Sequence, residues 1–156
     1  MLRPTVVLAV ALSAASAQMQ WVQGGAFPLS YGASLCYDSA RDRVVAWWFG
    51  THEFDGQSWI TIPTAVYPGQ VSKATYDPIR GVSVMQDAAI PSVWEWDGAS
   101  WSVTPQSVPP GLTWAMCFHH GRGKIVELAT YSQGPTADEL WEWDGVQWSL
   151  VPAGAF

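Results

Sequence analysis

Charge is scarce in this chain. Only 13% of its 156 residues are Asp, Glu, Lys or Arg, and seven basic residues face thirteen acidic ones for a formal net charge of −6. No basic stripe exists to meet a phosphate backbone or an anionic lipid surface, so neither nucleic acid nor a membrane surface is an expected partner. The low charge does not signal disorder, because 49% of the residues are hydrophobic and a chain of this length can bury a core. Beyond the N-terminus no run approaches the roughly 18 apolar residues of a membrane helix. Helical stretches are also missing: proline and glycine interrupt every segment longer than about ten residues. There is no Gly-x-Ser-x-Gly elbow, phosphate-binding loop or paired-cysteine zinc spacing. The two cysteines, Cys36 and Cys117, occupy the same place in two repeats. A bridge needs Cα atoms within about 7 Å, so an intrachain disulfide is not expected; two buried thiols are, with an intermolecular bridge as the alternative.

The first 17 residues have the three parts of a secretory signal. Arg3 supplies the positive start, Thr5 to Leu12 the apolar stretch, and Ala15-Ser16-Ala17 the small-residue cleavage site. Export to a secreted or periplasmic location follows as the expectation, with the mature chain beginning at Gln18.

What the chain does have is tryptophan, eleven in all, placed by a repeat. Trp94-Glu95-Trp96-Asp97-Gly98-Ala99-Ser100-Trp101 returns as Trp141-Glu142-Trp143-Asp144-Gly145-Val146-Gln147-Trp148, and a divergent copy stands at His52-Glu53-Phe54-Asp55-Gly56-Gln57-Ser58-Trp59. Each copy reads as an alternating strand, a turn at Asp-Gly and a return strand opening on Trp. Upstream of each lie two more strands joined by a tight turn. Asp38 to Asp42, Asp77 to Gly81 and His119 to Gly123 form these turns, with Arg41, Arg80 and Arg122 four residues past Tyr37, Tyr76 and Phe118. The repeated arginines suggest structural ion pairs, and the repeated Glu53, Glu95 and Glu142 a solvated strand face. The expected fold is therefore all-β: a partial β-propeller of about three four-stranded antiparallel blades, at about 33–63, 73–105 and 115–152, with an extra strand within 18–31.

The motifs Tyr76-Asp77-Pro78-Ile79-Arg80-Gly81, Trp94-Glu95-Trp96-Asp97-Gly98 and Trp101 with Pro105 resemble the kelch-like repeats of the galactose oxidase superfamily. The double glycine that usually ends the second kelch strand is replaced here by Trp48-Phe49, Asp87-Ala88 and Ala129-Thr130. Propellers have about four to eight blades. Three repeats leave three possibilities: a fragment of a longer protein, a homodimer completing a six-bladed ring, or an open stack. The resemblance also raises a copper oxidase, whose parts would be His119, His120, Cys117 and Tyr131. Neighbouring turn histidines seldom converge on one ion, so no metal, cofactor or catalytic residue is expected.

Binding is the favoured reading. Trp47, Trp48 and Phe49 break the repeat beside a loop and offer an aromatic patch, with core filling as the alternative. Tyr131 and Asp138 lie in the extra length of repeat three and are the other candidates. The expected function is an exported module that binds protein or glycan, or serves as a scaffold. The alternative is part of a galactose-oxidase-like or other carbohydrate-active enzyme.

Overall fold

The computed structural model describes residues 33–69, 71–87, 92–104, 109, 112–130, 138–152 and 154. The signal segment, the strand expected within 18–31 and Tyr131 lie outside the described residues. Among the described residues there are twelve strands and no helix. Blade 1 holds β1 (Ser34–Asp38), β2 (Arg43–Trp47), β3 (Thr51–Phe54) and β4 (Trp59–Ile62). Blade 2 holds β5 (Val71–Asp77), β6 (Val82–Asp87), β7 (Ser92–Trp96) and β8 (Trp101–Thr104). Blade 3 holds β9 (Leu112–His119), β10 (Lys124–Thr130), β11 (Asp138–Trp143) and β12 (Trp148–Leu150).

Every blade is an antiparallel meander in chain order. The register repeats as well: Tyr37 pairs with Val44, Tyr76 with Ser83 and Phe118 with Ile125. The first strands are innermost, β1 packing against β5 and β5 against β9. Sheets that stack face to face with their first strands together form a partial propeller, here of three blades. The core lies between the sheets, as the inability of one blade to bury both faces requires. Between blades 1 and 2 it contains Cys36, Val45, Trp47, Met85, Trp96 and Trp101; between blades 2 and 3 it contains Val84, Val93, Ile125 and Trp143.

The hairpin signal in the sequence becomes a four-residue loop. In the first, Asp55 N donates to Ser58 O at 3.2 Å, while Asp55 Oδ1 accepts from the N–H groups of Gln57 and Ser58, both at 2.8 Å. The same side-chain bonds recur at Asp97 and Asp144. These donors hold the Asp55 carboxyl below the usual range. Gly56, Gly98 and Gly145 have φ of 93°, 97° and 97°, which L side chains avoid.

Gly98 carries a second constraint. A Cβ built there would stand 2.7 Å from Arg41 Nε of blade 1. Gly98→Ala is therefore expected to cost about 2 kcal/mol, adding displacement of Arg41 to backbone strain. Gly81, at φ 71° with no atom within 4 Å of its Cβ position, is the control; Gly81→Ala should cost about 1 kcal/mol. Urea titration of both variants reads the difference, and equal midpoints would show that Arg41 yields freely.

Two expectations need correction. Glu53 and Glu142 are buried rather than solvated, because the arginine of their own blade reaches across to them. Of the two thiols only Cys36 is buried, its pKa pushed up to about 11 by that burial. Cys117 is exposed on the face of blade 3 that points away from blade 2, and both thiols are free.

Candidate functional site

Trp47, Trp48 and Phe49 occupy the β2–β3 turn, and the strand period separates their fates. Trp47 is the last residue of β2, on the face toward blade 2, and is 4% exposed in the core. It takes the core-filling alternative. Trp48 is half-buried, and Phe49 is 76% exposed. The turn closes by Trp48 N donating to Gly50 O at 3.1 Å. That closure puts Phe49 at φ 46°, a left-handed conformation unusual for a bulky residue. The Phe49 ring meets Trp48 edge to face, with centroids 4.8 Å apart and planes at 76°. A lone projecting ring supported from behind results.

The polar side chains that follow this tip are occupied. Thr51 Oγ1 accepts from Trp101 Nε1 at 2.6 Å. The His52 ring has Nδ1 3.1 Å from Thr61 Oγ1 and Nε2 3.3 Å from the Trp48 carbonyl. The tip is thus an apolar surface backed by satisfied polar groups.

A second concave region lies where the inner strands meet. It is a cleft of about 360 Å³ bordered by Leu35, Tyr37, Tyr76, Pro78, Phe118 and His120. The repeated aromatic position therefore contributes to one cleft from all three blades, a feature legible in the spacing but not singled out from it. Tyr37 donates to Asp42 Oδ1 at 2.7 Å, and His120 stands edge-on to Phe118.

Asp138 opens β11, is exposed, and hydrogen-bonds with the Thr130 hydroxyl. It borders a separate cleft of about 340 Å³ with Glu139, Leu140, Leu150, Val151 and Pro152. It is not brought together with Trp48. His119 and His120 point to different tasks, since His119 Nδ1 accepts the Arg122 N–H at 3.2 Å. Among the described residues no three His, Cys, Asp or Glu side chains converge as metal ligands.

The arginines make the expected ion pairs. Arg41 Nε is 2.7 Å from Asp38 Oδ2 and its Nη1 2.7 Å from Glu53 Oε1. Arg80 binds Asp77 and Glu95 in the same way, at 2.8 and 2.5 Å. In blade 3 His119 replaces the aspartate, and Glu142 takes both Arg122 and Lys124. One further group was missed in the sequence. Glu127 is fully buried between blades 2 and 3, where it meets Gln86 and Thr113.

No family model matches the chain, and no curated protein does. Among solved structures it is similar to one described as YCF48 bound to D1 peptide, with 16% identity and a TM-score of 0.47. The match covers 75% of this chain, which spans 37% of the other's length.

Proposed function

We propose that this chain is an exported, kelch-like propeller arc that binds a protein partner through Phe49 and Trp48. Phe49 carries the reading. A bulky ring at φ 46° and 76% exposed gains little from the core, packing only on Trp48 and the rim of Trp47 at centroid distances of 4.8 and 6.3 Å, yet costs backbone strain of about 1 kcal/mol. Glycine would hold the turn at lower cost, so the ring's worth lies outside the fold. An apolar tip whose adjacent hydroxyl and imidazole are already engaged offers a sugar little beyond the Trp48 indole N–H. It suits an apolar pocket on a protein, where a single buried aromatic anchors an interface. Export rests on Arg3, the apolar run after it and Ala15-Ser16-Ala17. The kelch-like assignment rests on the repeat motifs.

Phe49→Gly tests this by separating stability from binding. Its unfolding free energy is expected to rise by about 1 kcal/mol as the strain is relieved. A displayed random peptide library panned against the unaltered chain should enrich apolar and aromatic peptides, and Phe49→Gly and Trp48→Ala should lose them. A glycan array run in parallel covers the other ligand class. Glycan binding lost on Phe49→Gly would replace the protein partner with a carbohydrate. A Phe49→Gly variant that is less stable, or that keeps every ligand, would overturn the site.

A further inference from the structure

We infer that two copies of this chain dock head to tail, the outer face of blade 1 of each onto the outer face of blade 3 of the other, closing a six-bladed ring. The chain contains two examples of the joint. In the first, the Arg41 guanidinium lies against the hairpin of blade 2, so close that a Cβ on Gly98 would come 2.7 Å from Nε. In the second, Arg80 meets the hairpin of blade 3, with a Cβ on Gly145 2.9 Å from Arg80 Cδ. Arg122 stands at the same repeat position in blade 3. Gly56 is the corresponding glycine of blade 1, at φ 93° with no atom within 4 Å of its Cβ position. Seating the Gly56 hairpin over Arg122 repeats the joint a third time.

The remaining surfaces agree. Phe54 is half-buried, whereas its counterparts Trp96 and Trp143, each seated on the preceding blade, are completely buried. Tyr37 is 53% exposed where Tyr76 is 7%. On blade 3, Cys117 is exposed where Cys36 is buried at the first joint, and Leu128 is half-buried where Trp47 is buried. Each face thus carries apolar side chains more exposed than their internal counterparts, while Ala46 and His52 on blade 1 and the ion-paired Glu142 on blade 3 are already buried.

The hydrogen bonding also fits a particular pairing. At the first joint Glu53 accepts from Arg41 and, at 2.9 Å, from Trp96 Nε1 of the next blade. Phe54 has no N–H to offer at that position. Blade 3 is where Glu142 finds its second donor within its own sheet, from Lys124 Nζ at 3.1 Å; the corresponding Arg43 donates to the Asp42 carbonyl instead, and Val82 cannot donate. Glu142 therefore needs no indole from a covering blade, as at the second joint, where Trp143 Nε1 makes no hydrogen bond to Glu95. Two such joints related by a twofold axis close the ring without leaving a blade face uncovered. Six blades fall within the usual range.

The test uses the full chain as purified from its expression host. Light scattering on a sizing column should give twice the single-chain mass. Gly56→Asn should reduce it to the single-chain mass while leaving the circular dichroism spectrum intact, since asparagine tolerates positive φ and nothing within the arc opposes its side chain. A cross-link tests the register. The Cys36 thiol lies against the Ser83 hydroxyl at the first joint; the equivalent pair between copies is Cys117 and Val44. Val44→Cys should give one disulfide-linked dimer band on mild oxidation, and Val44→Cys with Cys117→Ser should give none. A single-chain mass at all concentrations overturns the inference, as residues 18–32 or further blades would then have to cover these faces. So does a dimer that survives Gly56→Asn and does not cross-link. A ladder of linked species in place of one band overturns ring closure.

Discussion

Arg41→Ala is expected to lower the unfolding free energy by about 4 kcal/mol. Asp38 and Glu53 are 1% and 5% exposed, and both depend on this one guanidinium. Removing it leaves two buried carboxylates without their cation, a far larger cost than deleting an exposed pair. Some relief is available to Asp38 Oδ1, which also accepts the N–H groups of Ala40 and Arg41 at 3.0 and 3.1 Å. Glu53 keeps only the indole of Trp96, so the damage should spread into the joint between blades 1 and 2. Arg41→Lys should recover less than half of the loss, because an ammonium cannot fork to both carboxylates. Arg43→Ala is the control: Arg43 donates to the exposed Asp42 carbonyl, and its loss should cost under about 0.5 kcal/mol.

The effect carries a pH signature. Burial alone would raise the Asp38 pKa, but hydrogen bonds from Arg41 pull it below its ordinary value. A carboxyl with a depressed folded-state pKa adds stability above the unfolded value of about 3.9, and that stability is lost as pH falls through the folded pKa. The gap between the parent and Arg41→Ala should therefore be full at neutral pH, begin to shrink as acid protonates the carboxyl that burial raises in the variant, and go on shrinking below about pH 4. Urea midpoints across that range measure it. A gap that stays constant into acid would mean that Arg41 acts through packing alone.

The blades were legible because their signals are local. Asp55-Gly56 fixes a loop with its own carboxylate and its own positive φ, and the alternation of Trp94, Glu95 and Trp96 assigns faces without outside help. The glutamates misled because their burial depends on partners outside the strand: Arg122 and Lys124 of the same blade for Glu142, and Arg41 together with blade 2 for Glu53. Glu53 lies 12 residues from Arg41, and nothing in the strand itself says that blade 2 will cover it. Trp47 and Trp48 show the same boundary. Period two places them on opposite faces, but which face of blade 1 is covered depends on where the next blade packs. The conformation of Phe49 had even less signal, since its positive φ comes from closure of the turn onto the Gly50 carbonyl. Glu127 could have been noticed as a lone acid inside the run Ile125-Val126-Glu127-Leu128-Ala129. Its main partner, Gln86, lies 41 residues earlier and emerges only once the sheets are stacked.

Glu127→Gln is expected to stabilise the protein by about 3 kcal/mol at pH 8 and to change little at about pH 4. Burial pushes the Glu127 carboxyl up to about 7 from an ordinary value of 4.5, against hydrogen bonds from Thr113 and Gln86 that favour the charge. The geometry gives the same direction independently. Gln86 Nε2 donates to Glu127 Oε2 at 2.6 Å, and Thr113 Oγ1 lies 2.5 Å from Gln86 Oε1 and 2.8 Å from Glu127 Oε1. A hydroxyl has one proton and can donate to one of those two oxygens. If it donates to Gln86, a protonated Glu127 donates to Thr113 and every member of the ring is satisfied; an ionised Glu127 leaves one contact as two facing acceptors. The sign of the pH effect follows. Below about pH 4 both folded and unfolded chains hold the proton. As pH rises past 4.5 the unfolded chain releases it while the folded chain keeps it, so stability falls until the folded group also ionises near 7. Glutamine presents the protonated pattern permanently, its NH₂ donating to Thr113 and its carbonyl accepting from Gln86. The variant should therefore lose the decline between pH 5 and 7 that the parent shows in urea midpoints. Persistence of that decline in Glu127→Gln would place its origin elsewhere. A variant less stable than the parent at pH 8 would mean that the charged carboxylate is what the joint between blades 2 and 3 requires.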